Sequence, residues 1–437
     1  MTCDKRANVL SESYWMPFTA ARAFRDRPMM FVGAEGTHYI EANGRRVLDG
    51  MAGLWCVNLG HAHPRVTEAI REAAGRLDFV SSFRMGHPGA FAFAERLAAA
   101  APEDLDHVFF SNSGSEAVDS ALKVARAYHR MRGEGGRTKL VGRAKAYHGV
   151  GFGGLSVGGI ARHKRDFGPL LPEVYHLPLP YDPERMEFCR GQPEIGTDYA
   201  DALEALLAVH DPSTVAAVIV EPVTGSGGVY PPPRGYLERL RSICDRHGIL
   251  LIFDEVITGF GRMGRCFAAQ AFGVTPDILT CAKGLTNGAV PMGATIVSDR
   301  VYQAFKAGPP DAIELFHGYT YSGHPLACAA GLAALDAYQG EGVFEQAAAI
   351  AGPWADAMHD LRGLSLVRGI RTAGILCAIE LESRGGTLGS AIADRCFDDG
   401  VLVRAAGDTL VLSPPLVISP AEIGKIVDTL RAALRAA

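Results

Sequence analysis

The sequence lacks the features that mark several protein classes. No C-x-x-C pair occurs among its nine cysteines, which argues against a zinc ribbon or a thioredoxin-like site and fits a reducing compartment. No run of lysine and arginine forms a basic patch, and the formal net charge is −5. No apolar run approaches the roughly 18 residues of a membrane span, and the first residues carry no signal-peptide core. We therefore expect a soluble cytoplasmic protein that binds neither membrane nor nucleic acid.

The 437 residues suffice for two or three domains, and the central part has an alternating pattern. From Leu77 onward, short β-branched or aromatic runs alternate with amphipathic stretches, which predicts an α/β fold with a parallel sheet. The runs predicted as buried parallel strands are 108–111, 215–221, 250–256 and 278–282. A helical period of apolar residues predicts a helix over 115–130.

Two further segments bear on the organisation of the chain. The glycine-rich stretch 146–168 predicts a loop that a ligand or another backbone approaches closely, without a fixed core. After about Ser322 the pattern becomes helical through 343–361. Short strands are then predicted at 375–381 and 401–404, with a last helix from Pro420. This C-terminal part is predicted to be a separate α+β domain.

Two short motifs have the residue types that hold a phosphate and a flat ring. SNSGSE, residues 111–116, ends a predicted strand and begins a helix, where backbone N–H groups and the helix dipole can bind phosphate. An ordinary helix N-cap explains the same residues equally well, and no P-loop lysine is present. Tyr147 precedes the glycine-rich stretch and could lie on the face of a heteroaromatic ring. Taken alone, Tyr147 and His148 are better explained as core residues, and neither has the spacing of a metal pair.

Ionisable residues follow two of the predicted strands. Asp254 and Glu255 end one of them, and a buried carboxylate needs a positive partner such as a pyridinium nitrogen. Because side chains alternate along a strand, Asp254 and Val256 share one face and Glu255 points to the other. Lys283 ends a second strand, where partial desolvation favours the free amine that forms a Schiff base. A structural salt bridge and a solvated strand-end lysine are the alternatives.

The order of these motifs is more specific than any one of them. A phosphate loop, an aromatic face, an acid for a ring nitrogen and a lysine for an aldehyde are the parts of a pyridoxal phosphate site. Over essentially its full length the chain resembles the class III, or subgroup II, aminotransferases of fold type I. The strings that carry the resemblance are SNSGSEAVDSALK, AYHG, EPVTGSGGVYPP, FDEVITGFGR, CAKGLTNGAVPMG and HGYTYSGHPLA.

This resemblance implies a fold and a domain division. We expect a large pyridoxal-phosphate-binding domain over 61–321, with a mainly parallel sheet flanked by helices. A smaller α+β domain is expected from both chain ends, residues 1–60 and 322–437.

The resemblance also implies how the cofactor ring is held. The lysine matching Lys283 binds the cofactor covalently and later moves the proton between substrate carbon and cofactor. The acid matching Asp254 keeps the pyridine nitrogen protonated. The residues matching Val256 and Tyr147 sandwich the ring, and the acid matching Glu221 lies near it.

The cofactor phosphate is expected to contact residues of two subunits. Gly114 and Ser115 match the backbone cradle of the phosphate. Thr320 matches a threonine that reaches the phosphate from the neighbouring subunit, which implies a homodimer with its active sites at the interface. The sequence leaves open whether dimers pair into tetramers.

Within the family, the segments GLWCVNLGH, YHGVGFGGLSVGGIARHKRDFG and RAAGDTL most resemble the ω-amino acid:pyruvate aminotransferases, which include the β-alanine:pyruvate enzymes. Arg404 matches the arginine that pairs with the carboxylate of the acceptor. Trp55, Phe18 and Phe83 match aromatic residues that line the apolar part of the pocket. A surface position on a strand is the alternative for Arg404.

Two differences from relatives bear on the substrates. The relatives that use 2-oxoglutarate carry a glutamate in the EPxxGEGG string, whereas this chain has Ser226, so pyruvate is the expected acceptor. Some close relatives carry a glutamine seven residues after the matching arginine. This chain has Val411 there, which puts carboxylated donors in question and leaves plain amines open.

Two competing functions remain at the level of sequence. The same fold and lysine serve aminomutases and decarboxylases, because the pocket selects which bond breaks. A cofactor-free binding protein is the other alternative, and the presence of both Lys283 and Asp254 argues against it.

Overall fold

A computed structural model describes residues 10–437, so the first nine residues of the predicted N-terminal segment lie outside the described part. The described chain forms three β-sheets with helices packed around them. The strands are β1 Phe31–Glu35, β2 His38–Glu41, β3 Arg46–Asp49, β4 Leu105–Ser111, β5 Lys139–Arg143, β6 Val174–Leu177, β7 Val215–Val220, β8 Leu250–Asp254, β9 Ile278–Ala282, β10 Gly293–Ser298, β11 Val367–Ala373, β12 Leu376–Leu381, β13 Val401–Leu402, β14 Arg404–Ala406 and β15 Thr409–Leu412.

The helices lie between and after these strands, and α2 is a single irregular turn. They are α1 Ala21–Asp26, α2 Ala52–Trp55, α3 Pro64–Arg76, α4 Pro88–Ala100, α5 Gly114–Met131, α6 Phe152–Val157, α7 Ala161–Lys164, α8 Ala202–His210, α9 Tyr236–His247, α10 Ala268–Phe272, α11 Asp299–Ala304, α12 Pro325–Gly340, α13 Val343–His359, α14 Leu388–Asp398 and α15 Pro420–Arg435. No helix within residues 10–437 combines the length and the apolar character that crossing a bilayer requires.

The largest sheet has seven strands in the order β4-β10-β9-β8-β7-β5-β6. Strands β9, β8, β7, β5 and β6 pair parallel, as predicted for 215–221, 250–256 and 278–282. Every residue of β7, β8 and β9 is buried, as expected for a sheet with helices on both faces. The prediction that 108–111 pairs as a parallel strand was wrong. Strand β10 lies between β4 and β9 and pairs antiparallel with both.

Helix α5 follows β4 directly and confirms the helix predicted over 115–130. Its apolar residues Val118, Ala121, Leu122 and Ala125 pack into a core cluster on one face of the large sheet. At its start, Ser113 Oγ accepts a hydrogen bond from Glu116 N at 3.2 Å, which caps the helix. The N-terminus of α5 therefore begins at a fixed position at the end of β4.

The glycine-rich stretch differs from its prediction. It contains α6 and α7, and Leu155 and Val157 are buried, so the expectation of a loop without a core was wrong. The glycines allow α6 to approach α5: Gly154 N donates to Asp119 Oδ1 at 2.7 Å, and a Cβ at Gly151 would stand 2.3 Å from Asp119 Oδ2. High glycine content here reflects close helix packing.

The two ends of the chain meet in one small sheet. Strand β13 pairs parallel with β3, so the sheet β1-β2-β3-β13 joins N-terminal and C-terminal segments. A second small sheet, β11-β12-β15-β14, is antiparallel, and α15 begins with a capping box formed by Ser419 and Glu422. The predicted strand 401–404 is divided between β13 and β14. The division of domains at 60/61 and 321/322 stays a prediction, and α12 packs on α3 and α4.

Candidate active site

One cavity of about 320 Å³ lies where β8 and β9 end and α5 begins. Carboxyl ends of neighbouring parallel strands meet at one sheet edge, which is where α/β proteins bind ligands. The predicted residues that line this cavity are Gly114, Ser115, Tyr147, Asp254, Val256 and Lys283.

Asp254 and Glu255 turn to opposite sides, as strand alternation predicts. Asp254 lines the cavity, and its Oδ2 lies 2.8 Å from His148 Nδ1. Glu255 is fully buried on the other side, where it accepts hydrogen bonds from Ala268 N at 2.6 Å and Ala269 N at 2.8 Å. Burial raises the pKa of Glu255 to about 7. Of these two adjacent acids, only Asp254 faces the cavity, which Glu221 also lines.

Lys283 follows β9 directly and adopts a left-handed backbone, with φ at 52°. Such a conformation is unfavourable for a residue with a side chain and often occurs at functional positions. Burial lowers the pKa of the Lys283 amine, while Cys56, Asp254 and Glu221 act in the opposite direction. The lowered pKa increases the share of free amine, which is the nucleophilic form.

The start of α5 and the residues around Gly149 form a narrow cradle. A Cβ at Gly114 would stand 2.9 Å from Val256 Cγ1, and a Cβ at Gly149 would stand 2.5 Å from Ser115 Oγ. Gly149 also has φ at +96°, which favours glycine. Only glycine therefore fits at these two positions, and the helix N-terminus is left open to an anion.

Glu221 is held behind Tyr147 by backbone amides. Its Oε1 accepts from Tyr147 N at 3.0 Å and its Oε2 from Gly225 N at 2.9 Å. Burial raises the pKa of Glu221, while His148 opposes that shift. This carboxyl group fixes the backbone that presents the Tyr147 ring to the cavity.

Arg404 lies beside the cavity, on the edge strand β14. Burial lowers the pKa of its guanidinium, and Tyr147 acts against that change. The charge of Arg404 in turn acts on the pKa of Lys283, although burial has the larger effect there. Among the described residues, none forms a salt bridge with Arg404. A half-buried cation without a counter-ion is thus placed near the reactive amine.

The structure does not bring the three predicted aromatic residues to the cavity wall. Trp55 is 2% exposed, has a left-handed φ of 67° and packs in a core cluster with Val411. Phe18 is 79% and Phe83 56% exposed. Thr320 is also exposed, outside the cavity of its own chain. The pocket roles of these four residues stay predictions.

Sequence reasoning missed several residues of the cavity wall. Cys56, Asn112, Thr286 and Met292 line it. All four lie in the sequence strings quoted above, but the sequence assigned none of them a role of its own. His148 was weighed only as a core residue. A buried carboxylate such as Asp254 requires a hydrogen-bond donor, and this requirement could have pointed to His148.

Comparison with known proteins agrees with this geometry. The sequence model of the family described as aminotransferase class-III matches residues 19–434. The chain belongs to the class III aminotransferases. A relative from Caulobacter vibrioides, named omega-aminotransferase, is 53% identical over 99% of both chains. A beta-alanine–pyruvate aminotransferase from Pseudomonas aeruginosa is 46% identical over 97% of this chain and 95% of its own.

Solved structures of related transaminases have the same fold as this aminotransferase. An amine transaminase from an uncultivated Pseudomonas species, in its PLP-bound form, superposes with a TM-score of 0.92 at 38% identity, over 98% of this chain and 99% of its own. An (S)-enantioselective omega-transaminase from Thermomicrobium roseum gives a TM-score of 0.91 at 36% identity, over 97% and 96% of the two chains. The predicted fold type I α/β architecture is confirmed.

Pyridoxal 5′-phosphate is the cofactor of this aminotransferase, and its chemistry suits the cavity. The glycine cradle at the start of α5 would offer N–H groups to the phosphate. Asp254 would offer a buried carboxylate to the ring nitrogen, and Lys283 would offer an amine to the aldehyde. A cavity of about 320 Å³ is within the usual range for a small-molecule cofactor.

Proposed function

We propose that this class III aminotransferase moves an amino group from an ω-amino acid or a primary amine, such as β-alanine, to pyruvate, giving an aldehyde or ketone and L-alanine. The observation that carries the proposal is the half-buried Arg404, which faces the region of Tyr147 and Lys283 without a counter-ion among the described residues. A guanidinium there can bind the carboxylate of an α-keto acid with two parallel hydrogen bonds. The names of the relatives from Caulobacter and Pseudomonas agree with this substrate class.

The loop after Glu221 supports pyruvate over a dicarboxylic acceptor. Ser226 stands in this loop, between Gly225 and Gly227, and it is partly exposed. A serine hydroxyl has no charge with which to neutralise Arg404. Arg404 therefore stays available for a small keto acid, whose carboxylate adjoins the reacting carbon.

Six residues of the cavity have a proposed task in the reaction. When bound, pyridoxal phosphate supplies an electron-accepting ring that lets the carbon bearing the amine lose a proton. Lys283 Nζ takes that proton and returns it, and its lowered pKa suits a general base. Asp254 holds the proton on the ring nitrogen, while Tyr147 and Val256 fix the plane of the ring. Gly114 and Ser115 bind the phosphate.

The half-reactions of the loaded enzyme test this function. We expect β-alanine or 1-phenylethylamine to bleach the visible absorbance band of the bound cofactor, and pyruvate alone to restore it. Recovery of the band with 2-oxoglutarate would contradict the argument from Ser226. Failure of every amine to bleach it would favour an aminomutase or a decarboxylase.

Substitution of Arg404 adds a test of the acceptor site to the same assay. In Arg404→Ala, recovery of the band with pyruvate should slow by about 10–100-fold, since a charge-assisted bond to the carboxylate is lost. Bleaching by 1-phenylethylamine, which has no carboxylate, should change little. The exposed Arg76→Ala is the matched control. Equal slowing of both half-reactions would rule out the acceptor role.

We also propose that the enzyme is a homodimer in which each subunit completes the active site of the other. Large apolar side chains are exposed on two neighbouring segments, and such clustered exposure is typical of an interface. They pack together through Phe79 and Tyr321, whose ring centres are 5.7 Å apart. The exposed side chains are Phe79, Phe83, Met85, Phe91, Ile313, Phe316 and Tyr321.

Thr320 lies on this same surface, in a loop fixed against its own α5. Ser120 Oγ lies 2.9 Å from His317 Nε2 and 3.1 Å from Tyr319 Oη. A Cβ at Gly318 would stand 3.0 Å from the ring of Phe83, so Phe83 and the loop form one unit. We infer that Thr320 and Phe83 serve the active site of the partner subunit.

Mixed dimers show whether Thr320 contributes to the active site of its own subunit or to that of its partner. A dimer of one Lys283→Ala subunit and one Thr320→Val subunit keeps a single complete site only if Thr320 acts on the partner. We expect that site to bind the cofactor as tightly as the wild type, whereas the Thr320→Val homodimer should bind about tenfold more weakly. Cofactor-dependent activity of mixed dimers measures this. Weak binding in the mixed dimer would place Thr320 in its own site.

A further inference from the structure

His148 lies behind Asp254 and has one ring nitrogen without a protein partner. Its side chain is fully buried, and its Nδ1 lies 2.8 Å from Asp254 Oδ2. An ionised carboxylate only accepts hydrogen bonds, so Nδ1 must carry the proton of this bond. Nε2 is buried and has no hydrogen-bond partner among the described residues. Both oxygens of the nearby Glu221 accept from other groups, the backbone amides of Tyr147 and Gly225.

His148 also lines a second, smaller cavity. Its volume of about 10 Å³ is about the smallest that can hold one water molecule. Lys164 lines the same cavity, together with backbone around Gly154 and Gly158. The unpaired nitrogen of His148 thus belongs to a residue that shares a water-sized space with Lys164.

Lys164 has a donor left for such a water. Its Nζ donates to Ser156 O at 2.9 Å and lies 3.1 Å from His176 Nε2. An ammonium group has three N–H donors. His176 Nε2 also lies 2.8 Å from Gly158 O, a carbonyl to which it can only donate, so Lys164 keeps at least one free donor. With His148 Nε2 as the second partner, a water there would have the two polar partners that a buried water requires at least.

We propose that a buried water, held by Lys164 and donating to His148 Nε2, fixes the His148 tautomer so that Nδ1–H points at Asp254 and orients its carboxylate toward the ring nitrogen of the cofactor. His148 is then a positioning residue that acts through Asp254. The proposal rests on the role proposed above for Asp254.

The geometry explains why Asp254 needs this support. Its Oδ1 accepts from Val256 N at 3.1 Å and from Thr280 Oγ1 at 3.4 Å, which is a weak contact. On Oδ2, His148 supplies the short hydrogen bond. Without it, one oxygen of a buried carboxylate would lack a donor, and the group would be free to rotate or to take up a proton.

Variants of His148 test the link to Asp254 through cofactor binding. His148→Leu should raise the dissociation constant of pyridoxal phosphate about 10–100-fold and shift the absorbance maximum of the bound cofactor. His148→Asn should restore most of the affinity, because its amide nitrogen stands as many bonds from Cα as Nδ1 does. The proposal would be overturned if His148→Asn bound the cofactor as weakly as His148→Leu does. It would also be overturned if His148→Leu bound the cofactor as tightly as the wild type.

His129→Asn is a matched control for general damage to the fold. His129 is also buried, and its Nδ1 makes no hydrogen bond among the described residues, with Glu134 Oε2 3.6 Å away. Its Nε2 donates to Ala216 O at 2.9 Å. It lies near the C-terminal end of α5, away from the cavity. We expect this variant to lower thermal stability without changing the absorbance maximum. A spectral shift equal to that of His148→Leu would show that the effect is not specific.

Crystal structures of the holoenzyme and of Lys164→Met test the water itself. The wild type should show one ordered water between Lys164 Nζ and His148 Nε2, and the variant should lose it, with a weaker cofactor affinity. No water at Nε2 in the wild type would overturn the proposal. Asp254→Asn distinguishes the role of Asp254 from the positioning role of His148. If Asp254→Asn binds the cofactor normally, the role of Asp254 is refuted. If Asp254→Asn binds it weakly and His148→Leu binds it normally, only the positioning role of His148 is refuted.

Discussion

Lys283→Ala should lose about 10⁴-fold or more of its turnover, since the covalent link to the cofactor and the general base are removed together. Burial lowers the pKa of this amine, and no second lysine is among the residues that line the cavity. Steady-state formation of L-alanine from pyruvate and an amine donor measures the loss. The visible band of the bound cofactor should also change, because the aldehyde no longer meets a lysine.

Two further variants test whether the loss of turnover is due to the amine of Lys283. Lys283→Arg keeps a positive charge but offers no ordinary amine, so it should be as inactive as Lys283→Ala. Lys306→Ala removes a lysine that lies over the ring of Tyr302 and does not line the cavity. It should retain normal turnover. Turnover by Lys283→Ala near the wild-type rate would refute the assignment of the reactive lysine.

Substitutions of Asp254 and of Glu255 should affect different properties of the enzyme, although the two residues are adjacent. Asp254→Asn should weaken cofactor binding and lower kcat by about 10²–10³-fold, because a buried charge opposite the ring nitrogen is lost. Glu255→Gln should leave both properties nearly unchanged. It should instead lower the melting temperature by about 2–4 °C, since one of the two amides at the start of α10 loses its acceptor.

Cofactor titration, initial rates and thermal unfolding of the two variants decide between these outcomes. The pair is a matched control because both changes convert a buried acid to its amide, at adjacent positions. If Glu255→Gln also released the cofactor, the argument from strand alternation would fail. If Asp254→Asn retained wild-type turnover, the ring nitrogen would not depend on that acid.

The convergence of Asp254, Lys283 and the start of α5 could be predicted from the sequence. Each of these follows a strongly apolar run, and strands of one α/β sheet bring such ends to a single edge. The pattern does not reveal strand direction by itself. An apolar run reads the same whether its neighbour is parallel or antiparallel, and β10 therefore altered the pairing of β4.

Other parts of the site depend on contacts that no local pattern contains. Trp55 is buried by packing in a core cluster that includes Val223 and Val411, and the bond between His148 and Asp254 joins residues 106 positions apart. Glycine content gave the wrong structure for 146–168. Because the glycines there have no Cβ atoms, α6 can pack closely against Asp119. Such close packing is a tertiary contact that the local sequence does not show.

The pairing of β3 with β13 has a consequence for the growing chain on the ribosome. Leu48 N donates to Gly400 O at 2.9 Å, and Leu48 lies opposite Val401 in the register of the two strands. The last strand of the N-terminal sheet can therefore pair only after nearly the whole polypeptide has been synthesised. At about 5–20 residues per second, translation of the roughly 350 intervening residues takes about 20–70 s. During that time β3 has an unpaired edge, which is a hazard for aggregation. Nascent chains stalled before residue 401 should therefore depend on chaperones more than the finished enzyme does.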